Sequence, residues 1–504
     1  MKKIIKIGKP INIEDVISVS FDKEVVVEID SSVKDRVQKS RKIVDDIVGG
    51  NKAVYGINTG FGSLSDIKID PDKLKQLQVN LIRSHSAGVG DLLDEEYVRA
   101  MMLLRAHNVS LGYSGVRMEV INSILFFLNN DITPCIPEKG SVGASGDLAP
   151  LAHLTLSLLG EGEVFYKGSK RRSLEVIKEL KGPVLELEAK EGLALINGTQ
   201  YMAALGCVAL YKAECMSKHA DIIGALSLEG VAGTFSPFDK RISELRPHDG
   251  QRKVSDNFLK LSKGSTISSA HAECPRVQDP YSFRCIPQVH GAVRDAISYL
   301  RKVLSVEINS VTDNPLVFDD AIISGGNFHG EPIALALDFA AMAMTELSSI
   351  SERRTDKLLT PAFNGGLSAY LASESGLNSG LMIAQYTAAS LVNENRVFSH
   401  PSSVDNVPTS NNKEDHVSMG ATGARKLLKT IENTEAVLSI ELLSAVEACS
   451  KREPLKPSPQ LKTVMDLVRE KVSPLTEDRN ISKDIGSVIS IIRSGEILKE
   501  VKVD

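Results

Sequence analysis

Apolar residues recurring at helical spacing through long proline-free stretches of the second half constrain this chain more than any other feature. Ile333, Leu337, Ala340, Met344 and Leu347 form one stripe, and Val437, Ile440, Leu443, Ala445 and Val446 lie within another. That period is the mark of one face of an α-helix. Small residues crowd the first stripe and also the run Ala384 to Ser390, the pattern of helices that pack closely with few exposed sides. Near residues 1–30 and 161–190, β-branched runs such as Val25-Val26-Val27 add a few short strands. The class is therefore mainly α.

Up to about residue 200 the pattern differs. Short elements are separated by glycine-rich turns, including Tyr55-Gly56-Ile57-Asn58-Thr59-Gly60-Phe61-Gly62 and Gly140-Ser141-Val142-Gly143-Ala144-Ser145-Gly146-Asp147. Loops of this kind commonly carry functional side chains on a rigid scaffold. The expected organisation is an N-terminal domain of mixed but mainly helical structure over 1–200, holding both turns, and a bundle of long, mostly antiparallel helices over 201–504. The chain shows no internal repeat, low-complexity tract or long charged tail.

With 504 residues, 42% of them apolar, a large core can be buried. Lysine and arginine number 59 against 64 aspartate and glutamate, so the net charge is −5 and its sign gives no general attraction to nucleic acid or anionic lipid. A small-molecule ligand is the better expectation. Lys6 and Lys9 interrupt the apolar run that a secretory signal would need. The most apolar stretches, 148–160 and 332–344, are too short or carry Asp338, against the roughly 20 apolar residues of a spanning helix. No membrane partner is expected. Six cysteines, Cys135, Cys207, Cys215, Cys274, Cys285 and Cys449, form no CxxC pair, which argues against a disulfide framework and a zinc site. A cytoplasmic, reducing environment fits this usage.

The segment Gly143-Ala144-Ser145-Gly146-Asp147 carries the most chemical information. A phosphate-cradling loop would need the lysine and Ser/Thr of GxxxxGK[ST], which are missing. A nucleophile elbow needs G-x-S-x-G, whereas glycine here follows the serine directly. In its context, Val142-Gly143-Ala144-Ser145-Gly146-Asp147-Leu148-Ala149-Pro150 resembles the signature of the aromatic amino acid ammonia-lyases. The resemblance implies that the nitrogen of Gly146 attacks the carbonyl of Ala144, and that loss of two waters leaves a methylidene-imidazolone ring (MIO). Its exocyclic carbon comes from Ser145. Such closure needs a tight turn with an unhindered nitrogen, which glycine provides. Breaking a C–N bond while removing a weakly acidic β-proton calls for an electrophile, and no standard side chain is one. A self-made group fits a chain without a convincing pyridoxal phosphate, nucleotide or metal motif, so no external cofactor is expected.

Further segments extend the resemblance from Tyr55 to about residue 450. It implies that Tyr55 is the base for the β-proton, although a free phenol titrates near pKa 10 and would need help from its surroundings. Asn197, in Leu195-Ile196-Asn197-Gly198-Thr199-Gln200, corresponds to a residue that hydrogen-bonds around the ring and substrate. Arg284 corresponds to the carboxylate-binding arginine, and a planar guanidinium suits a bidentate grip. Gln278 and Tyr281 match polar neighbours of the ring, and Phe328, in Gly325-Gly326-Asn327-Phe328-His329-Gly330, would shape the pocket. His329 by itself reads as a packing histidine.

Two segments bear on the substrate. Ser84-His85 and Glu414-Asp415-His416 resemble the histidine branch of the family, where the other branches carry Phe-Leu or His-Leu and Gln-Asp. His85 would then face an imidazole, a hydrogen-bonding partner suited to a polar ring. Glu414 would bind the imidazole N–H or take a proton from the substrate ammonium, and Lys413 beside it is expected to point to solvent. The family resemblance by itself leaves histidine, phenylalanine and tyrosine open, with an aminomutase or a catalytically inactive binding relative as alternatives. These two segments imply L-histidine as substrate, with trans-urocanate and ammonia as products, and the resemblance implies a homotetramer whose sites combine residues of several subunits.

Overall fold

A computed structural model of the chain describes residues 2–50, 53–60, 69–270 and 277–504. Phe61, Gly62 and Cys274 lie outside the described residues. Two compact units emerge. One comprises Met1–Ala209, Leu300–Asp338 and Pro401–Arg425; the other comprises Leu210–Tyr299, Phe339–His400 and Lys426–Asp504. Compactness follows contacts rather than chain order, so two segments beyond residue 201 belong with the N-terminal part, in place of a single cut near residue 200.

All the described strands belong to the first unit and are short. Ile4–Ile7 pairs in parallel with Val26–Ile29, and Val89–Leu92 runs antiparallel to Pro137–Lys139. Thr133–Pro134, Glu163–Tyr166 and Ser169–Arg172 form a three-stranded sheet, and Leu316–Val317 pairs with Ile322–Ile323. The strands expected near 1–30 and 161–190 are therefore present. The helix Glu95–Ser110 runs through the middle of this unit, with every residue from Val98 to Ser110 buried. A helix covered on all sides must find partners for its polar side chains: Asn108 donates to Ser310 O and Thr312 Oγ1, and the Arg105 guanidinium is bonded as described below.

The long helices are Gln200–Gly230, Ile286–Glu307, Glu331–Leu359 and Gly420–Ser450. Ile333, Leu337, Ala340, Met344 and Leu347 have no exposed surface, as the helical stripe implies. Burying each large apolar side chain of this kind contributes about 1.5–3 kcal/mol. Glu331–Leu359 is long and apolar enough to cross a membrane by length and composition, yet 72% of its most apolar window is buried in the fold, as in a core helix. The helix Met382–Phe398 departs from expectation. It buries one stripe, Ala384, Ala388, Val392 and Asn395, and leaves Ile383 and Tyr386 about 60% exposed. Small residues permit close packing but do not require a neighbour on every side.

Several charges buried in the second unit are paired. Arg354 donates to both carboxylate oxygens of Glu441, at 2.6 and 2.8 Å, and Ser227 and Ser351 donate to the same group. His290 and Arg294 both meet Asp221. Pairing with full hydrogen bonding is what makes such burial tolerable. Among the described residues, Cys135, Cys207, Cys215, Cys285 and Cys449 are free thiols.

Candidate active site

The Ala144-Ser145-Gly146 turn lies between the strand Pro137–Lys139 and the helix Leu148–Leu158. Gly146 has φ +78°, and a Cβ there would sit 2.3 Å from the carbonyl oxygen of Gly198, so no larger residue fits. Gly146 and Gly198 form a parallel bridge, and the Asp147 N–H donates to Gly198 O at 2.7 Å. The Asp147 carboxylate accepts from Met202 N–H at 2.9 Å and from Ser141 Oγ at 2.8 Å. Burial pushes this carboxyl up to about 7. From the other side, Ser418 Oγ donates to Gly143 O at 3.0 Å and Met419 N–H donates to Val142 O at 2.9 Å. The turn is clamped along its whole length.

Two of the residues read from the sequence, Asn197 and Glu414, meet at Ser145. Asn197 Nδ2 donates to the Ser145 carbonyl at 2.7 Å. Ser145 Oγ donates to Glu414 Oε1 at 2.9 Å. Glu414 is held in turn by Thr409, whose Oγ1 donates to Oε2 at 2.9 Å while the two backbones exchange hydrogen bonds. Ser410, Asn411 and Asn412 close the loop between them with positive φ, a conformation that asparagine tolerates better than most residues. Lys413 is exposed. His85 ends the helix Leu74–His85 half-buried, with Nδ1 3.0 Å from Ser84 Oγ. Burial holds its pKa below the usual histidine value, and the charge of Glu414 acts on it in the opposite direction.

Tyr55 is half-buried on a turn of the same unit. Its neighbour Gly56 has φ +76°, and a Cβ there would fall within 3 Å of Leu193 and Pro315, so this turn packs tightly against the segment that carries Asn197. Phe328 is half-buried just before the helix Glu331–Leu359. His329 spends both ring nitrogens on hydrogen bonds, one with the His416 carbonyl at 3.2 Å and one with Glu331 N–H at 3.3 Å, and so fastens the Phe328 loop to the Glu414 loop. Gln278, Tyr281 and Arg284 form a cluster of their own in the second unit. Arg284 donates to Gln278 Oε1, and its guanidinium lies 4.8 Å from the centre of the Tyr281 ring. Tyr281 is 69% exposed.

The sequence profile of the family described as aromatic amino acid lyase matches residues 11–470. The chain belongs to the aromatic amino acid lyase family. A relative from Caldanaerobacter subterraneus subsp. tengcongensis named histidine ammonia-lyase is 51% identical and aligned over 99% of each chain. The crystal structure of histidine ammonia-lyase from Trypanosoma cruzi is 42% identical with a TM-score of 0.92, covering 99% of this chain and 95% of that one. The structure of tyrosine aminomutase from Streptomyces globisporus is 37% identical with a TM-score of 0.94, covering 99% and 98%.

Two residues that support this aromatic amino acid lyase site lie outside the motifs of the sequence. Thr409 was not singled out, although Ser410-Asn411-Asn412 after it marks a turn that brings it back to Glu414. Arg105 was also missed. Its signal is a cation inside the apolar run Met101 to Ala106, because a fully buried arginine is rare without a dedicated set of acceptors.

Proposed function

We propose that the chain is a histidine ammonia-lyase that eliminates ammonia from L-histidine to give trans-urocanate, with MIO formed from Ala144, Ser145 and Gly146. The observation that carries this reading is the double hold on Ser145, with the Asn197 amide on its carbonyl and the Glu414 carboxylate on its hydroxyl. The full-length relatives named histidine ammonia-lyase, at 46–51% identity, support the choice of substrate.

The residues present fit the ring. Gly146 has the positive φ and the unhindered nitrogen that closure needs, and Ala144 is 4% exposed, so the turn is shielded from water. Asn197 Oδ1 is buried without a hydrogen-bond partner, leaving one acceptor on the residue that touches Ser145. When formed, the ring supplies an electrophile for the departing amino group. Asn197 polarises the Ser145 carbonyl by donating to it. Arg284 grips the substrate carboxylate through its two-pronged guanidinium, beside Gln278 and Tyr281. Tyr55 takes the β-proton. His85, kept neutral by burial, is matched to the imidazole, and Glu414 receives the imidazole N–H or an ammonium proton. Phe328 shapes the pocket.

A homotetramer with sites shared between subunits belongs to the same reading. Leu335, Phe339 and Met342 lie at i, i+4 and i+7 on one helix face and are 42–49% exposed, and the Tyr281 and Ile383 side chains are more exposed still. The enzyme would work in a reducing cytoplasm, where the free thiols described above persist.

The test is direct. Purified protein given L-histidine and no added cofactor should release urocanate and ammonia, and its intact mass should be two waters below the encoded value. Ser145→Ala should restore that mass and abolish turnover. Full activity at the unmodified mass would sink the ring, and β-tyrosine formed from L-tyrosine would point instead to aminomutase chemistry.

A further inference from the structure

Arg105 is the largest unexplained charge near the site. It sits on the helix Glu95–Ser110 with no exposed surface. Among the described residues no carboxylate lies within ion-pair distance of it. Asp313, whose charge acts on it, is already joined to the equally buried Lys190 at 2.8 Å. Burial lowers the guanidinium pKa to about 10, so it remains a cation at neutral pH. An unpaired buried cation is costly unless its donors are well used.

The two Nη groups converge on one peptide segment, while Nε is buried without a hydrogen-bond partner. Nη1 donates to Asn197 O at 3.2 Å and to Gln200 Oε1 at 2.6 Å, and Nη2 donates to Asn197 O at 3.2 Å and to Ala194 O. Ala194 lies in the last turn of the helix Glu191–Ile196, where carbonyls lack intrahelical partners and the helix end is negative. Gln200 is steadied by donating to Thr312 Oγ1 at 2.9 Å. Gly198 follows with φ +156°, and a Cβ there would fall 2.6 Å from Arg105 Nη1. The guanidinium therefore sets the orientation of the Asn197–Gly198 peptide. The two residues it joins hold the turn on either side of Gly146: the Asn197 side chain donates to Ser145 O, and the Gly198 carbonyl accepts from Asp147 N–H.

We propose that Arg105 is a positioning residue for ring formation, holding Asn197 and Gly198 so that the Ala144-Ser145-Gly146 turn stays folded for closure; this rests on the reading of the turn given above. In that closure the Gly146 nitrogen bonds to the Ala144 carbonyl carbon. The Ala144 oxygen leaves as water with the amide hydrogens of Ser145 and Gly146, giving a C=N bond. The Ser145 hydroxyl leaves as water with the Ser145 Cα hydrogen, giving a C=C bond. No oxidant or reductant is needed. Arginine is required because one planar fork must reach three acceptors, and an ammonium group at the same place cannot span them.

The full-length chain is made by cell-free synthesis and its intact mass followed over time, for wild type, Arg105→Lys, Arg105→Gln and Gln200→Leu. Circular dichroism of the purified products reports folding. Wild type should lose two waters, and folded Arg105→Lys should do so on the order of tenfold more slowly, with Arg105→Gln slower again. A general structural role would lower stability without this ordering of ring content at equal helicity. Should both Arg105 variants fail to fold, Gln200→Leu carries the test, since it removes one acceptor and leaves the charge; delayed ring formation supports the proposal. Ring formation at the wild-type rate in a folded Arg105 variant, or in Gln200→Leu where neither Arg105 variant folds, overturns it. A wild-type chain that keeps its full encoded mass overturns instead the ring itself.

Discussion

Ser145 Oγ donates to Glu414 Oε1 across 2.9 Å, although 269 positions separate the two residues in the chain. The other carboxylate oxygen of Glu414 takes a hydrogen bond from Thr409. Glu414 is thus held at both oxygens, aimed at the residue from which the electrophile is proposed to form.

Glu414→Gln should reduce histidine deamination while leaving the two-water mass deficit intact, because its proposed work is on the substrate. Thr409→Val frees Oε2 and should lower kcat/KM about tenfold, the order expected for one lost hydrogen bond to a charged group. Steady-state kinetics with intact-mass control check both, and wild-type kinetics for the pair would remove Glu414 from the chemistry.

Arg284→Lys keeps the charge but loses the fork, so it should weaken handling of the substrate carboxylate and raise KM. Tyr55→Phe should instead collapse kcat, by about 10²-fold or more for a lost general base. Near-normal turnover by Tyr55→Phe would require a different base.

His85→Leu should hurt histidine turnover far more than any residual action on phenylalanine or tyrosine. A site built to hydrogen-bond a polar ring leaves its groups unpaired with an apolar one, a mismatch on the order of 10⁴-fold. The ratio of kcat/KM between L-histidine and L-phenylalanine measures it, and unchanged selectivity would refute the histidine assignment at this residue.

Glu229 carries a pH signature. It is buried, accepts a hydrogen bond from Ser265, and its pKa is raised by burial from 4.5 to about 7. Between pH 4.5 and 7 the folded chain keeps a proton that the unfolded chain has lost, so this group's contribution to stability falls as pH rises and is fully lost above about 7. His219, lowered to about 4, slopes the other way but is common to wild type and variant. The apparent melting temperature of Glu229→Gln should therefore gain on wild type as pH rises through that window, then hold level. A difference constant across the window would contradict the burial effect.

What the sequence determined by itself is local. The stripe through Ile333 and Leu347 was legible because helical period is written within a few turns, and the Ala144-Ser145-Gly146 turn because its nine-residue context, Val142 to Pro150, resembles the family signature. Motif matching also reached Asn197 and Glu414, but as separate positions. Only the tertiary structure set one on the carbonyl of Ser145 and the other on its hydroxyl, and only it showed Thr409 behind Glu414 and Arg105 behind Asn197. The exposed face of Met382–Phe398 was likewise decided there. Periodicity and turn chemistry depend on neighbours in the chain, whereas the partner of a side chain, and whether a helix face is covered at all, depend on which distant segments the fold brings alongside it.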